Sequence, residues 1–306
     1  MKAVTVTDRA AGTSGVRLTD RPEPHASEND VIVQVHAAGF TPGELDWPAT
    51  WTDRAGRDRA PTIPGHELAG VVTGLGYGTT GLTLGQRVFG LADWTRDGTL
   101  AEYVAVEARN LAPLPADVDF VTGASLPISG LTAWQGLFVH GRIEPGQTVL
   151  VTGVAGGVGS IVAQLAREAG AFVIGAGRET HRARAHDAGV HAFVHLDDGD
   201  LEECGPVDLV FDVLGGDLGA RCAAVVREGG TLVSIAAPPA TERPGVRSVF
   251  FVVEPDRAQL ADLVGRVRDG RLRTFVGDVV SLDDAPAAFS GGASKGGKTI
   301  VQVRPQ

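Results

Sequence analysis

Apolar residues follow two rhythms along the chain, and the change falls near Asp117. Before it, short apolar runs are punctuated by Gly and Pro, the texture of strands joined by turns. Val31–His36 (VIVQVH), Glu67–Val72 (ELAGVV), Arg87–Phe89 and Thr99–Val106 (TLAEYVAV) read this way. They predict an all-β region, a partly closed barrel. After Asp117 a helical period runs over Phe120–Gly141, with Leu126, Leu131, Trp134 and Leu137 in phase. Apolar strands then alternate with helices. The strands are Thr148–Thr152, Phe172–Gly175, Ala192–His195, Leu209–Val213 and Thr231–Ala236; the helices are Ser160–Ala169 and His181–Ala188. Strands that are apolar throughout need cover on both faces, which predicts a parallel sheet between helix layers. A strand at Val246–Val253, a helix at Ala258–Asp269, and strands at Thr274–Val280 and Lys298–Val303 follow. The apolar pattern alone does not say which domain takes these last elements.

One turn in the second region carries chemistry. Gly153-Val-Ala-Gly156-Gly157-Val158-Gly159 follows the strand Val149–Val151 and opens a helix near Ser160. Strand, glycine turn and helix together form the context of a dinucleotide-binding fingerprint. The first glycine makes the tight turn, the second admits backbone N–H groups to a pyrophosphate, and the third lets helix and strand approach. The helix start adds unpaired N–H groups and a partial positive charge. At the tip of the next strand, an Asp or Glu would hold the ribose 2′-hydroxyl of NAD. The chain instead reads Gly175-Ala176-Gly177-Arg178-Glu179. Arg178 offers a planar fork of donors for a 2′-phosphate, which favours NADPH. Glu179 beside it carries the opposite charge, and a solvated Arg178 is the alternative.

These stretches resemble the medium-chain dehydrogenases/reductases, in their quinone-reductase form. VLVTGVAGGVG is similar to that family's fingerprint, and VHAAGFTPGELD (Val35–Asp46) to its first active-site segment. PGHELAGVV (Pro64–Val72), GLTAWQGL (Gly130–Leu137), VDLVFDVLGG (Val207–Gly216), EGGTLVSIA (Glu228–Ala236) and GGKTIVQV (Gly296–Val303) match in order. The resemblance implies an α/β fold: a Rossmann doubly wound parallel sheet plus a β-rich, partly barrel-like (GroES-like) catalytic domain. It implies residues 1–117 and 256–306 in the catalytic domain and 118–255 in the Rossmann domain, with cofactor and substrate in the cleft. A homodimer through the Rossmann sheet edge is implied as well, with Val246–Val253 as the pairing strand. Thr132 is expected near the nicotinamide. The backbone of Ser234 to Ala236 and of Phe250, Phe251 and Val252 is expected around its ring and carboxamide. Lys298 is expected near the pyrophosphate, with a surface lysine as the alternative.

Zinc-dependent relatives carry a Cys where this chain has Thr41, a second ligand at His66 and an acid at Glu67. A catalytic zinc needs three protein ligands, and the only cysteines are Cys204 and Cys222. The expectation is an enzyme without metal, in which nothing polarises a simple alcohol. Quinones and activated alkenes beside a carbonyl then become the expected acceptors. Thr41, Glu44 and Trp47 are the substrate-side candidates, although the quinone-reductase pattern has Asn and Asp at the first two. Trp47 offers a face for a flat quinone or a domain-packing surface. Tyr103 lies in a strand pattern and reads as structural, so water or the Thr41 hydroxyl is the expected proton source. Pro48–Pro61 is polar and turn-rich, a lid or a mobile loop. An enoyl-thioester reductase and an NADPH-binding protein without turnover are the alternative functions.

Composition narrows the partners. The formal net charge is −10, which argues against nucleic acid and anionic membrane. No apolar run reaches membrane-spanning length, and the first residues lack the apolar core of a signal peptide. Two cysteines form no disulfide framework. A soluble, cytoplasmic protein is expected. Gly makes up 42 of 306 residues, so many tight turns and close backbone approaches are expected.

Overall fold

The computed structural model describes residues 1–196, 201–238, 243–290 and 296–305, with the side chains of 202 and 203 outside that set. The chain divides into two compact units. One comprises Met1–Ile128, Pro255–Arg271 and Val276–Gln306; the other comprises Ser129–Glu254 and Leu272–Phe275.

The first unit is built around one long strand, Asp30–Gly39. Glu67–Leu75 pairs antiparallel along one of its edges. The other edge is shared: Tyr103–Glu107 pairs with residues 30–34, and Lys298–Gln302 with residues 37–39. Register shifts, one of them between Val35 and Ala37, let the strand turn from one partner to the other. The sheet runs Val276–Ser281, Lys298–Gln302, Asp30–Gly39, Glu67–Leu75, Arg87–Leu91 and Leu111–Pro113, with Tyr103–Glu107 off this path. Its apolar faces close on a core that includes Val33, Val35, Leu68, Val88 and Leu100. The C-terminal strand therefore belongs to the same sheet as the N-terminal ones. The helix Phe120–Ser125 begins with Asp119, whose carboxylate caps the Thr122 N–H at 2.8 Å. That helix also falls in the first unit, so the rhythm change at Asp117 precedes the spatial division at Ser129. Helical periodicity marks an element, and its apolar face alone decides which core takes it.

The second unit holds six parallel strands. Their spatial order is Ala192–His195, Phe172–Gly177, Thr148–Thr152, Val207–Asp212, Val226–Ser234 and Arg247–Phe250. Numbered along the chain this is 3-2-1-4-5-6, the dinucleotide-binding order, with its switch point between the first and fourth strands. The edge strand is shorter than its apolar run suggested, because pairing stops at Phe250. Among the described residues, no helix is long and apolar enough to cross a membrane.

The helix Pro127–Trp134 continues into a π-helical turn, Gln135–His140. Gln135 pins this turn by bonding Glu254 twice, from Nε2 to its carbonyl at 2.7 Å and through Oε1 from its N–H at 3.1 Å. A side chain at Gly136 would run into the fully buried Phe211 ring. In an open helix Gly→Ala gains about 1 kcal/mol, whereas overpacking a core costs roughly 1–3 kcal/mol. Packing should win here. Gly136→Ala is expected to lower the urea midpoint, and a raised midpoint would show that Phe211 moves aside freely.

Candidate active site

In the second unit, the glycine turn sits at the switch point. Gly153 has φ +59°, a conformation that favours glycine. A Cβ on Gly159 would collide with the Gly153 carbonyl. The 12-residue helix Gly157–Glu168 can thus start directly against the turn. Gly153, Gly156, Gly157 and Val158 are half-buried, and Gly159 is buried. The first N–H groups of the helix have no intrahelical acceptor. This is a fitting cradle for a pyrophosphate.

A buried network braces the strand tips around it. Asp212 accepts from Thr152 Oγ1 at 2.9 Å, Ser234 Oγ at 3.2 Å, and the N–H groups of Leu214 and Gly215 at 3.1 Å. Thr152 Oγ1 in turn accepts from Val213 N at 2.9 Å. Three adjacent strands are locked at their C-terminal ends by one carboxylate. Beyond the network, Ala236 is exposed and Thr132 buried, Phe250 and Val252 are exposed, and Phe251 tilts against His140 at 4.4 Å.

At the tip of the second strand, Arg182 holds Glu179 through Nε at 2.6 Å and Nη2 at 2.8 Å. Those bonds hold the Glu179 carboxyl below its ordinary range. Arg178 is exposed and, among the described residues, forms no ion pair.

In the first unit, the site begins with Glu44. Its carboxyl is buried, and both oxygens are taken by backbone. Oε2 accepts from Thr41 N at 3.0 Å, and Oε1 from Gly65 N at 2.7 Å. Glu44 thus clamps the Thr41 segment to the Gly65–His66 turn. Burial pushes its pKa up to about 7, against the pull of those two N–H groups. His66 follows, 2% exposed, with its pKa pushed down to about 3, first by burial and then by Arg59. Two indoles surround its ring. Trp94 meets it edge-on at 4.9 Å, Trp47 lies near-parallel at 6.5 Å, and the indoles meet each other edge-on at 5.5 Å. The loop presenting Trp94 is fixed by Asp93, which accepts from Thr95 N at 2.7 Å and pairs with Arg54. Next in sequence, Glu67 is fully buried against Lys298 and accepts from Ile128 N at 3.1 Å.

Two of the expected site residues are engaged within the fold. Each Glu44 carboxyl oxygen accepts one backbone N–H. The Lys298 ammonium is buried against Glu67. The segment Pro48–Pro61 is also more anchored than its composition suggested. Trp51 Nε1 bonds Leu45 O at 2.7 Å, Arg59 Nη1 bonds Ala49 O at 2.8 Å, and Arg54 pairs with Asp93. Among the described residues, no group of three or more His, Cys, Asp or Glu is placed to hold a metal ion.

Residues 27–116 match the alcohol dehydrogenase GroES-like domain family, and residues 188–301 the zinc-binding dehydrogenase family. The chain is 31% identical over 283 residues to a 2-methylene-furan-3-one reductase of Solanum lycopersicum, covering 87% of this chain and 69% of that protein. The chain belongs to the medium-chain dehydrogenase/reductase superfamily. It is a quinone oxidoreductase-like member and an oxidoreductase. An NADPH-dependent alkenal/one oxidoreductase of Arabidopsis thaliana is 32% identical over 267 residues, 83% of this chain and 66% of that protein. Among solved structures, the quinone oxidoreductase of Coxiella burnetii superposes with TM-score 0.91 at 25% identity, over 99% of each chain. Membership in this superfamily implies a nicotinamide cofactor, and the shape of the glycine turn fits a pyrophosphate.

The Glu44 clamp generates a pH prediction. Its carboxyl titrates at about 4.5 when unfolded and about 7 when folded. Between these values the folded chain holds a proton that the unfolded chain has lost. The stabilising contribution is therefore fully present below about 4.5 and is lost as pH rises through about 7. Its size is on the order of 3 kcal/mol. In urea unfolding, the stability difference between wild type and Glu44→Gln should shrink across that window. A difference independent of pH would show that Glu44 titrates normally.

Proposed function

We propose that this superfamily member is an NADPH-dependent, zinc-independent reductase that delivers hydride to a quinone or an α,β-unsaturated carbonyl compound. The observation that carries the acceptor class is the corner at Thr41. Where zinc enzymes of the superfamily carry a thiolate, this chain has Thr41, whose N–H the Glu44 carboxyl ties to the turn before His66, and the His66 ring stands among Trp47 and Trp94. Aromatic faces suit a flat conjugated acceptor. The donors there do not fit a catalytic zinc, which needs three protein ligands. Glu67 is engaged by Lys298 and Ile128, and buried Cys222 lies in the other unit with its thiol pushed up to about 12. The names of the tomato and Arabidopsis relatives point to the same acceptors.

Arg178 supports NADPH. With Glu179 held by Arg182, the neighbouring carboxylate no longer competes for it. The bound cofactor supplies hydride; the protein contributes position and a water-poor surround. Gly156 to Gly159 would hold the pyrophosphate, and the Asp212 network would keep the strand tips rigid beneath it.

Two measurements test this reading. NADPH oxidation should be observed with a panel of quinones, enones and enoyl thioesters, undiminished by a chelator. Turnover of saturated alcohols alone, or loss of activity with chelator, would overturn it. Arg178→Ala should weaken NADPH about tenfold, the loss of one charge-assisted contact, and leave NADH nearly unchanged. Equal loss for both cofactors would remove Arg178 from the 2′-phosphate.

A further inference from the structure

His66 has a burial problem that the fold does not solve. Nδ1 is sealed from solvent and has no hydrogen-bond partner. Among the described residues Nε2 likewise has no hydrogen-bond partner, and it is not one of the atoms fully sealed from solvent. Buried N–H groups without an acceptor are rarer than buried lone pairs without a donor. The neutral ring therefore places its lone pair at Nδ1 and its proton at Nε2. The charged groups acting on the ring, Arg59 and Asp93, oppose each other, and burial keeps the imidazole neutral. A neutral imidazole is a hydrogen-bond donor that does not attract anions as an imidazolium would.

The surroundings fix this donor in place. Gly65, one residue before, has φ +84°, and a Cβ there would stand 2.8 Å from Leu100 Cγ and 2.9 Å from Thr99 Oγ1. Its N–H is held by Glu44 and its carbonyl by Thr99 N at 2.9 Å. After His66, Thr99 Oγ1 bonds the Glu67 carbonyl at 2.9 Å. The backbone on both sides is pinned, and Trp94 buttresses the ring.

We propose that His66 donates Nε2–H to the carbonyl oxygen of the acceptor, with Trp47 and Trp94 flanking the same molecule. This rests on the reductase reading and narrows its acceptor to an uncharged, flat, conjugated carbonyl compound. As hydride from the reduced nicotinamide bonds to the β-carbon, the C=C pair shifts and charge gathers on the carbonyl oxygen. The His66 proton stays on nitrogen and stabilises that oxygen; the resulting enolate takes its proton from water, and the nicotinamide is left oxidised. His66 is then a catalytic residue by contact with the reacting group. Loss of one preorganised donor of this kind costs about 100-fold or more in kcat.

The test uses full-length protein saturated with oxidised NADP and carbonyl-13C-labelled 2-cyclohexen-1-one, read by infrared difference spectroscopy. The wild-type carbonyl band should lie well below its position in hexane. It should move toward the hexane position in His66→Phe and stay low in His66→Gln, which restores an N–H donor. In turnover with NADPH, His66→Phe should lose about 100-fold in kcat, with His66→Gln recovering part and NADPH affinity unchanged in both. A wild-type band at the hexane position overturns the assignment however the variants fold. An identical low band in all three proteins overturns it too. A low band that depends on His66, in a protein that turns over no acceptor, supports the donor and removes the reductase reading. Turnover with an unshifted band does the reverse.

Discussion

The first unit turns on the buried pair between Glu67 and Lys298, whose residues open two of its strands. Both partners are largely removed from water, so each charge is tolerable only beside the other. Breaking such a pair by removing one partner typically costs about 3–5 kcal/mol, because a lone buried charge remains. Lys298 opens the C-terminal strand, which pairs with the central strand Asp30–Gly39 on one side and Val276–Ser281 on the other. Glu67 opens the strand on the opposite edge of Asp30–Gly39. Gly39 lies between them, and any side chain there would overlap the Glu67 carboxyl. The pair therefore sets where three strands begin or end, and with them the position of His66.

Two other carboxyls follow a related logic. Glu44 and Asp212 are both buried, and both bind backbone N–H groups. Glu44 holds together segments that no regular ladder joins, and Asp212 reinforces the ends of strands that a parallel ladder already joins. In the first unit the clamp brings the Thr41 segment to the His66 turn; in the second the network fastens three strand tips beside the glycine turn. A backbone held at two points by one buried carboxyl resists small shifts, which is what positioning of a reacting molecule requires.

The glycine turn and the alternating strands and helices were legible in the sequence because their signals are local. Strand, glycines and helix lie within one short stretch, Val149–Ala169. The roles of Glu44 and Lys298 were not, because they depend on burial and on partners far away in sequence. The same holds for Pro48–Pro61, which reads as loop until Arg54 meets Asp93. Trp94 and Asp212 were missed altogether. Each had a faint signal: Asp93-Trp94-Thr95 is an Asx-turn spacing, and FDVLGG sets an acid just before a turn of two glycines. Neither signal says that the acid is buried.

The shared edge of the strand Asp30–Gly39 has a consequence for how the molecule is made. Its last residues wait for Lys298–Gln302, which the ribosome delivers after every strand of the six-stranded sheet. Domains tend to fold as units as they emerge. The inserted unit can therefore complete its sheet while the strands made before it still have an open edge, so the sheet begun earlier closes later.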